Sequence, residues 1–155
     1  MILGVMAGMA VPNFRGSYSK LELSEAAKNI AYLMRYTQGR ASLKGKEHLI
    51  EFDVNARTFI LKEKSGEDDL PNASGVFQDI QGRFGGVQHI PADLILETQK
   101  PQVHFYPDGK IEKARIFLKN KQGQYFTVST QEQLGYVQIY DFKLDNDNEN
   151  LQEPQ

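Results

Sequence analysis

Three histidines, His48, His89 and His104, are the residues of this 155-residue chain best suited to hold a metal. Their spacing argues against it, because a local zinc pair needs histidines about two or four residues apart to bring both ring nitrogens to one ion. They read as surface or structural histidines, and no metal site is assigned. Asp68 and Asp69 offer paired carboxylates, but nothing around them predicts the burial or opposed environments that acid–base work requires. In "DNDNEN" Asp145, Asp147 and Glu149 alternate as calcium-loop ligands do, without the glycine and glutamate that complete such a loop. The absence of cysteine removes disulfides, thiolate metal sites and a cysteine nucleophile together. There is no G-x-S-x-G and no P-loop, and "QGRFGG" (residues 81–86) does not follow a strand and open a helix as a dinucleotide fingerprint must. No enzyme chemistry and no cofactor are expected.

What the residues do offer is apolar contact. Met1 to Val11 are all apolar or glycine, followed by Pro12, and Ile2, Leu3, Gly4, Val5, Met6, Gly8, Met9, Val11 and Pro12 are the candidate membrane or filament-core residues. As a helix the run would rise only about 16 Å, half a bilayer's hydrocarbon thickness, so it does not span alone. It lacks the basic start and small-residue cleavage site of a secretory signal. The expectation is that it is the later part of a longer apolar helix. Codons upstream of Met1 should then encode about ten more mostly apolar residues with one acid, after a short basic leader. Gly4 and Gly8 form a G-x-x-x-G, read as small residues in an apolar helix ahead of a dimer motif.

The elements that must position this run follow from periodicity. Leu23, Ala27, Ile30 and Met34, flanked by Ala26, Ala31 and Leu33, recur at helical spacing, and Gly45 supplies a left-handed stop. Ser17 or Ser19 either caps a new start or lies within one bent rod. Beyond Gly45 the period becomes two. "HLIEFDV", with Ile50, Phe52 and Val54 on one face, and "TFILKEK" predict a hairpin. Residues 65–93 hold a short element or a surface excursion. "LILE", "QVHFY", "ARIFLK", "QYFTVST" and "YVQIYDF" then predict a run of antiparallel strands, and the polar tail should stay disordered. The fold class is α+β: a long N-terminal helix on one or two antiparallel sheets. The segments expected are 1–16 (apolar half-helix), 17–45 (amphipathic half), 46–142 (β domain) and 143–155 (acidic tail). The amphipathic half should bury its stripe against Ile50, Phe52, Val103, Phe105, Ile116, Leu118, Phe126 and Val128.

A formal charge of −2 and pI near 5.9 give no global attraction to nucleic acid. Lys113, Arg115, Lys119 and Lys121, and separately Arg35, Arg40, Lys44 and Lys46, could form local patches, but a solvated basic surface is the preferred reading. Tyr136, Tyr140 and Phe142 would give a rival β-type binding module an aromatic platform, or else pack under a loop.

The apolar helix with "AVPNF" resembles the N-terminal helix of type IV pilins and type II secretion pseudopilins. "LSEAAKNIAYLMRYTQGRASLKGKEHLIEFDVNARTFIL" is similar to the H-class minor pseudopilins and FimT-like minor pilins, in which a helix ending in a basic, small-residue stretch leads directly into a hairpin. "VHFYPDGK", closed by Pro107, Asp108 and Gly109, and "LGYVQIY" match further segments of that group. The resemblance implies a pilin-like subunit with prepilin-type processing and methylation, held by a single pass in a bacterial inner membrane with its β domain in the periplasm. Its implied partners are other pseudopilins or pilins through the helix, the membrane and secreted cargo. Nucleic acid is not an expected partner. The function implied is protein export by a type II secretion pseudopilus; the alternatives are a FimT-like minor pilin in pilus assembly or DNA uptake, and a periplasmic ligand-binding module.

Overall fold

The computed structural model describes residues 14–66, 75–131 and 135–145. The apolar candidates Ile2 to Pro12, the pair Asp68 and Asp69, and the tail beyond Asp145 lie outside these. Helix α1, Phe14–Lys44, is 31 residues long, about 46 Å. It runs unbroken through Ser17 and Ser19, so neither opens a new helix; Ser19 instead donates its hydroxyl to Gln122 Oε1 at 2.7 Å. Gly45 ends the helix at φ 63°, and the Lys46 N–H returns to Ala41 O at 3.3 Å. Leu23, Ala27, Ile30, Met34 and Ala41 form the buried stripe. Thr37 falls on the same stripe and is fully buried, its hydroxyl satisfied by Leu33 O one turn back at 2.7 Å.

Nine strands follow among the described residues: β1 His48–Asp53, β2 Thr58–Ser65, β3 Val76–Asp79, β4 Gln88–His89, β5 Ile95–Thr98, β6 Gln102–Phe105, β7 Ala114–Lys119, β8 Tyr125–Gln131 and β9 Tyr136–Tyr140. They form two antiparallel sheets. The first has the order β3-β2-β1-β6, with β4 also on β2; the second has the order β5-β7-β8-β9. The β1–β2 hairpin pairs as its alternation predicts, Ile50 with Leu61 and Phe52 with Phe59, although Val54 lies beyond the strand and is exposed. The expected run of consecutive strands is interrupted. β6 leaves its sequence neighbours β5 and β7 in the second sheet and pairs with β1 in the first, Ile50 opposite Val103. The crossing is fixed where Phe52 N–H meets Pro101 O at 2.7 Å.

Both sheets close on α1. Ile50, Phe52, Val103 and Phe105 from the first, and Ile116, Leu118 and Val128 from the second, share one core with the helix stripe, with Phe126 partly buried against it. The segment 65–93 supplies β3 and β4, joined by a tight glycine loop. A Cβ at Gly85 would fall 1.9 Å from Ile80 O, so only glycine fits there. At the other end the packed domain runs past the expected boundary at Phe142, for Leu144 is buried.

Candidate functional site

The exposed face of α1 is the first candidate. Tyr18, Leu21, Glu25, Asn29 and Tyr32 recur at helical spacing opposite the buried stripe, and Tyr18, Leu21 and Tyr32 are 70%, 56% and 58% exposed. No described side chain between Gly16 and Glu22 is buried, and Ser19 ties these first turns to Gln122 between β7 and β8. Further along, the face borders a cleft of about 340 Å³ between α1 and the β4 region. Ala26, Leu33, Phe59 and Ile90 form its apolar part, with Glu22 and Glu25 at the rim. Phe84 walls one end, its ring 4.6 Å from that of Tyr36 and 5.8 Å from that of Tyr32. The glycines around Phe84 bend the loop tightly enough to lay this ring on the helix.

Pro107, Asp108 and Gly109 lie in the turn that follows β6. Gly109 has φ 89°, and its N–H closes the turn on Tyr106 O at 3.0 Å. Asp108 Oδ1 accepts the Lys110 N–H at 3.1 Å, and these contacts with Lys110 hold its carboxyl below the usual carboxylate range. Sequence reasoning missed what the turn meets. Gln38 of α1 donates to both Gly109 O at 2.7 Å and Gly135 O at 2.9 Å, and Arg35 donates to Val137 O at 2.8 Å. One helix face therefore ties down the β6–β7 turn and the start of β9. The only sequence signal was a glutamine beside the apolar stripe.

The cationic candidates do not gather into patches. Arg40 pairs with Glu63 at 3.1 Å, Arg115 is buried, Lys121 pairs with Asp93 and Lys119 lies over the Tyr125 ring at 5.4 Å. Lys44 and Lys46 are exposed near the helix end. The histidines are equally scattered. His48 is fully buried with its Nδ1 2.9 Å from Lys46 O and its Nε2 3.2 Å from Glu63 Oε2. His104 meets Glu47 at 2.7 Å, and His89 is exposed on β4. Among the described residues no three His, Cys, Asp or Glu side chains converge as metal ligands. Burial pushes the Glu63 carboxyl up, but the Arg40 hydrogen bond and the charges of His48 and Arg40 outweigh it and hold the group below 4.5. Tyr136 is exposed, whereas Tyr140 and Phe142 are half-buried with ring centroids 5.5 Å apart, so the three do not form an open platform. Among the described residues no helix is long and apolar enough to cross a membrane.

One long N-terminal helix packed by one face on two antiparallel sheets is the pilin-like fold of the minor pseudopilins. The minor pseudopilin EpsH from the type II secretion system of Vibrio cholerae superimposes with a TM-score of 0.67 at 14% identity, covering 82% of this chain and 99% of that one. GspH of E. coli gives 0.59 at 17% identity, over 78% and 89% of the two chains. The type IV minor pilin FimU of Pseudomonas aeruginosa gives 0.51 at 13%, over 78% and 90%. At these identities the likeness is one of fold. No family model matches the sequence, and no curated protein does.

Proposed function

We propose that this protein is a minor pilin-like subunit of a membrane-anchored periplasmic filament, the pseudopilus of a type II secretion system, acting in protein export. The observation that carries the reading is the unburied start of α1 together with the apolar run before it in the sequence. Nothing between Gly16 and Glu22 is buried, and the residues preceding the helix, Ile2 to Val11, are the most apolar run in the chain. That run has apolar surface to bury, and its partners in this reading are lipid and the helices of neighbouring subunits. Burial of that run between subunits supplies affinity through apolar area, at roughly 25 cal/mol per Å². The β domain faces outward and selects neighbours or cargo. The fold is common to the pseudopilin EpsH and the type IV minor pilin FimU, and the choice of the secretion pseudopilus is part of the proposal.

The test is complementation of a strain lacking the gene. The full chain should restore export, and a chain with Val5 and Met9 replaced by aspartate should not, while its β domain folds normally by circular dichroism. Restored export by the double aspartate variant would remove the filament reading and favour a periplasmic binding module.

A further inference from the structure

After β9 the chain turns back at Asp141 and lies on the second sheet. Ile116, Leu118 and Val128 point from that sheet into the core shared with α1, so Phe117 and Thr127, which alternate with them, point to the opposite face. The returning segment covers that face. Thr127, fully buried, donates its hydroxyl to Phe142 O at 2.6 Å and accepts the Leu144 N–H at 3.0 Å. Between these, Lys143 reaches Glu97 on β5 at 3.3 Å and passes over the rings of Phe117 and Tyr125 at 5.3 and 5.0 Å. Leu144 is 5% exposed and Phe117 6%. The contacts define a recognition chemistry: a backbone carbonyl and an N–H two residues apart on one hydroxyl, a lysine between them opposite a carboxylate, and a leucine-sized apolar side chain.

We propose that this face is a peptide site filled in cis by Phe142 to Leu144 and open to the same segment of a second copy, so that adjacent subunits exchange these straps. Three features support exchange. The strap is held through the Thr127 hydroxyl, the Lys143–Glu97 ion pair whose side chains are 42% and 40% exposed, the contacts of Lys143 with the Phe117 and Tyr125 rings, and the buried Leu144. It hangs from β9 by a bend at Asp141, and a short connection of this kind favours exchange between copies. Its occupant is already shown to fit, which is the condition for swapping an identical element between protomers. A tethered strap meets its own site at an effective concentration of about millimolar, so the free subunit is closed. Exchange rests on the filament reading, because only packed neighbours present foreign straps at a comparable local concentration.

The test separates strap from site in full-length chains kept in one mild detergent. Leu144→Ser weakens the strap and leaves the site; Thr127→Val removes the site's hydroxyl and leaves the strap. The two chains, differently tagged, should associate when mixed, and each alone should sediment as a monomer. A mixture that stays apart, or single variants that associate as readily, overturns the proposal. Amide exchange on the wild type guards against misfolding of either variant. The Leu144 amide should exchange faster than the amides of β8, and roughly tenfold faster again in Thr127→Val, with Thr127→Ser restoring the slower rate. A Leu144 amide released only by global unfolding would equally sink strap exchange. Export restored by a wild type whose variants never associate defeats the exchange and leaves the filament reading standing.

Discussion

Gly135 is the residue on which three segments converge. It sits at φ 60°, and a Cβ there would fall 2.5 Å from Gln38 Nε2 and 2.6 Å from Gly109 O. Gly135→Ala is therefore expected to destabilise the domain by about 1–3 kcal/mol, through left-handed strain and the opening of the Gln38 bridge, as read by urea unfolding. Glu63 makes a second residue-scale prediction with a defined sign. Its folded carboxyl titrates below its unfolded value of 4.5. The stability it contributes is present above that pH and is lost as pH falls through the lower, folded value. Melting temperature should fall on the acid side of pH 4.5 in the wild type, and Glu63→Gln should flatten that fall while lowering stability at pH 7, where Arg40 and His48 lose their carboxylate. An unchanged acid limb in the variant would show that other carboxylates govern it. Neither Gln38 nor Glu63 was legible as a contact in the sequence, because both are polar residues whose partners lie far along the chain.

At the scale of elements, periodicity read well wherever one face alone is buried. The helix stripe from Leu23 to Met34 and the alternation of β1 and β2 each repeat their pattern long enough to fix type and facing. Alternation reports which face of a strand is buried but not which strand lies beside it, so the crossing of β6 was invisible. The short β3 and β4 were hidden too, since the exposed residues of β3 show no buried face. The strap was lost for a related reason: it carries one buried leucine next to a run of acids and amides, and composition there spoke for the acids. Two truncations distinguish these parts. Removing Asp145 to Gln155 should leave the melting temperature almost unchanged. Removing everything from Asp141 should also uncover Phe117 and take away Leu144, costing about 2 kcal/mol and roughly 5–10 °C. Equal melting curves for both truncations would show that the strap adds no stability.

For the whole molecule, the unburied start of α1 separates folding from assembly in the filament reading. A chain beginning at Ser17 keeps Leu23, Ile30, Met34 and both sheets, and should fold as a soluble, mostly monomeric α+β domain by circular dichroism and sedimentation, yet fail to restore export. If that chain unfolds, the apolar run belongs to the domain core. The position of β6 has a consequence for the order in which this domain can form. Its strand completes the first sheet but is synthesised between two strands of the second. During biosynthesis the β1–β2 hairpin waits, one edge open, until β6 emerges about forty residues later, and by then β5 already awaits β7. Neither sheet can finish before the other has begun. Unfolding should accordingly be one transition shared by both sheets, and the open edge of β1 is the moment at which a nascent subunit is most exposed to pairing with the wrong strand.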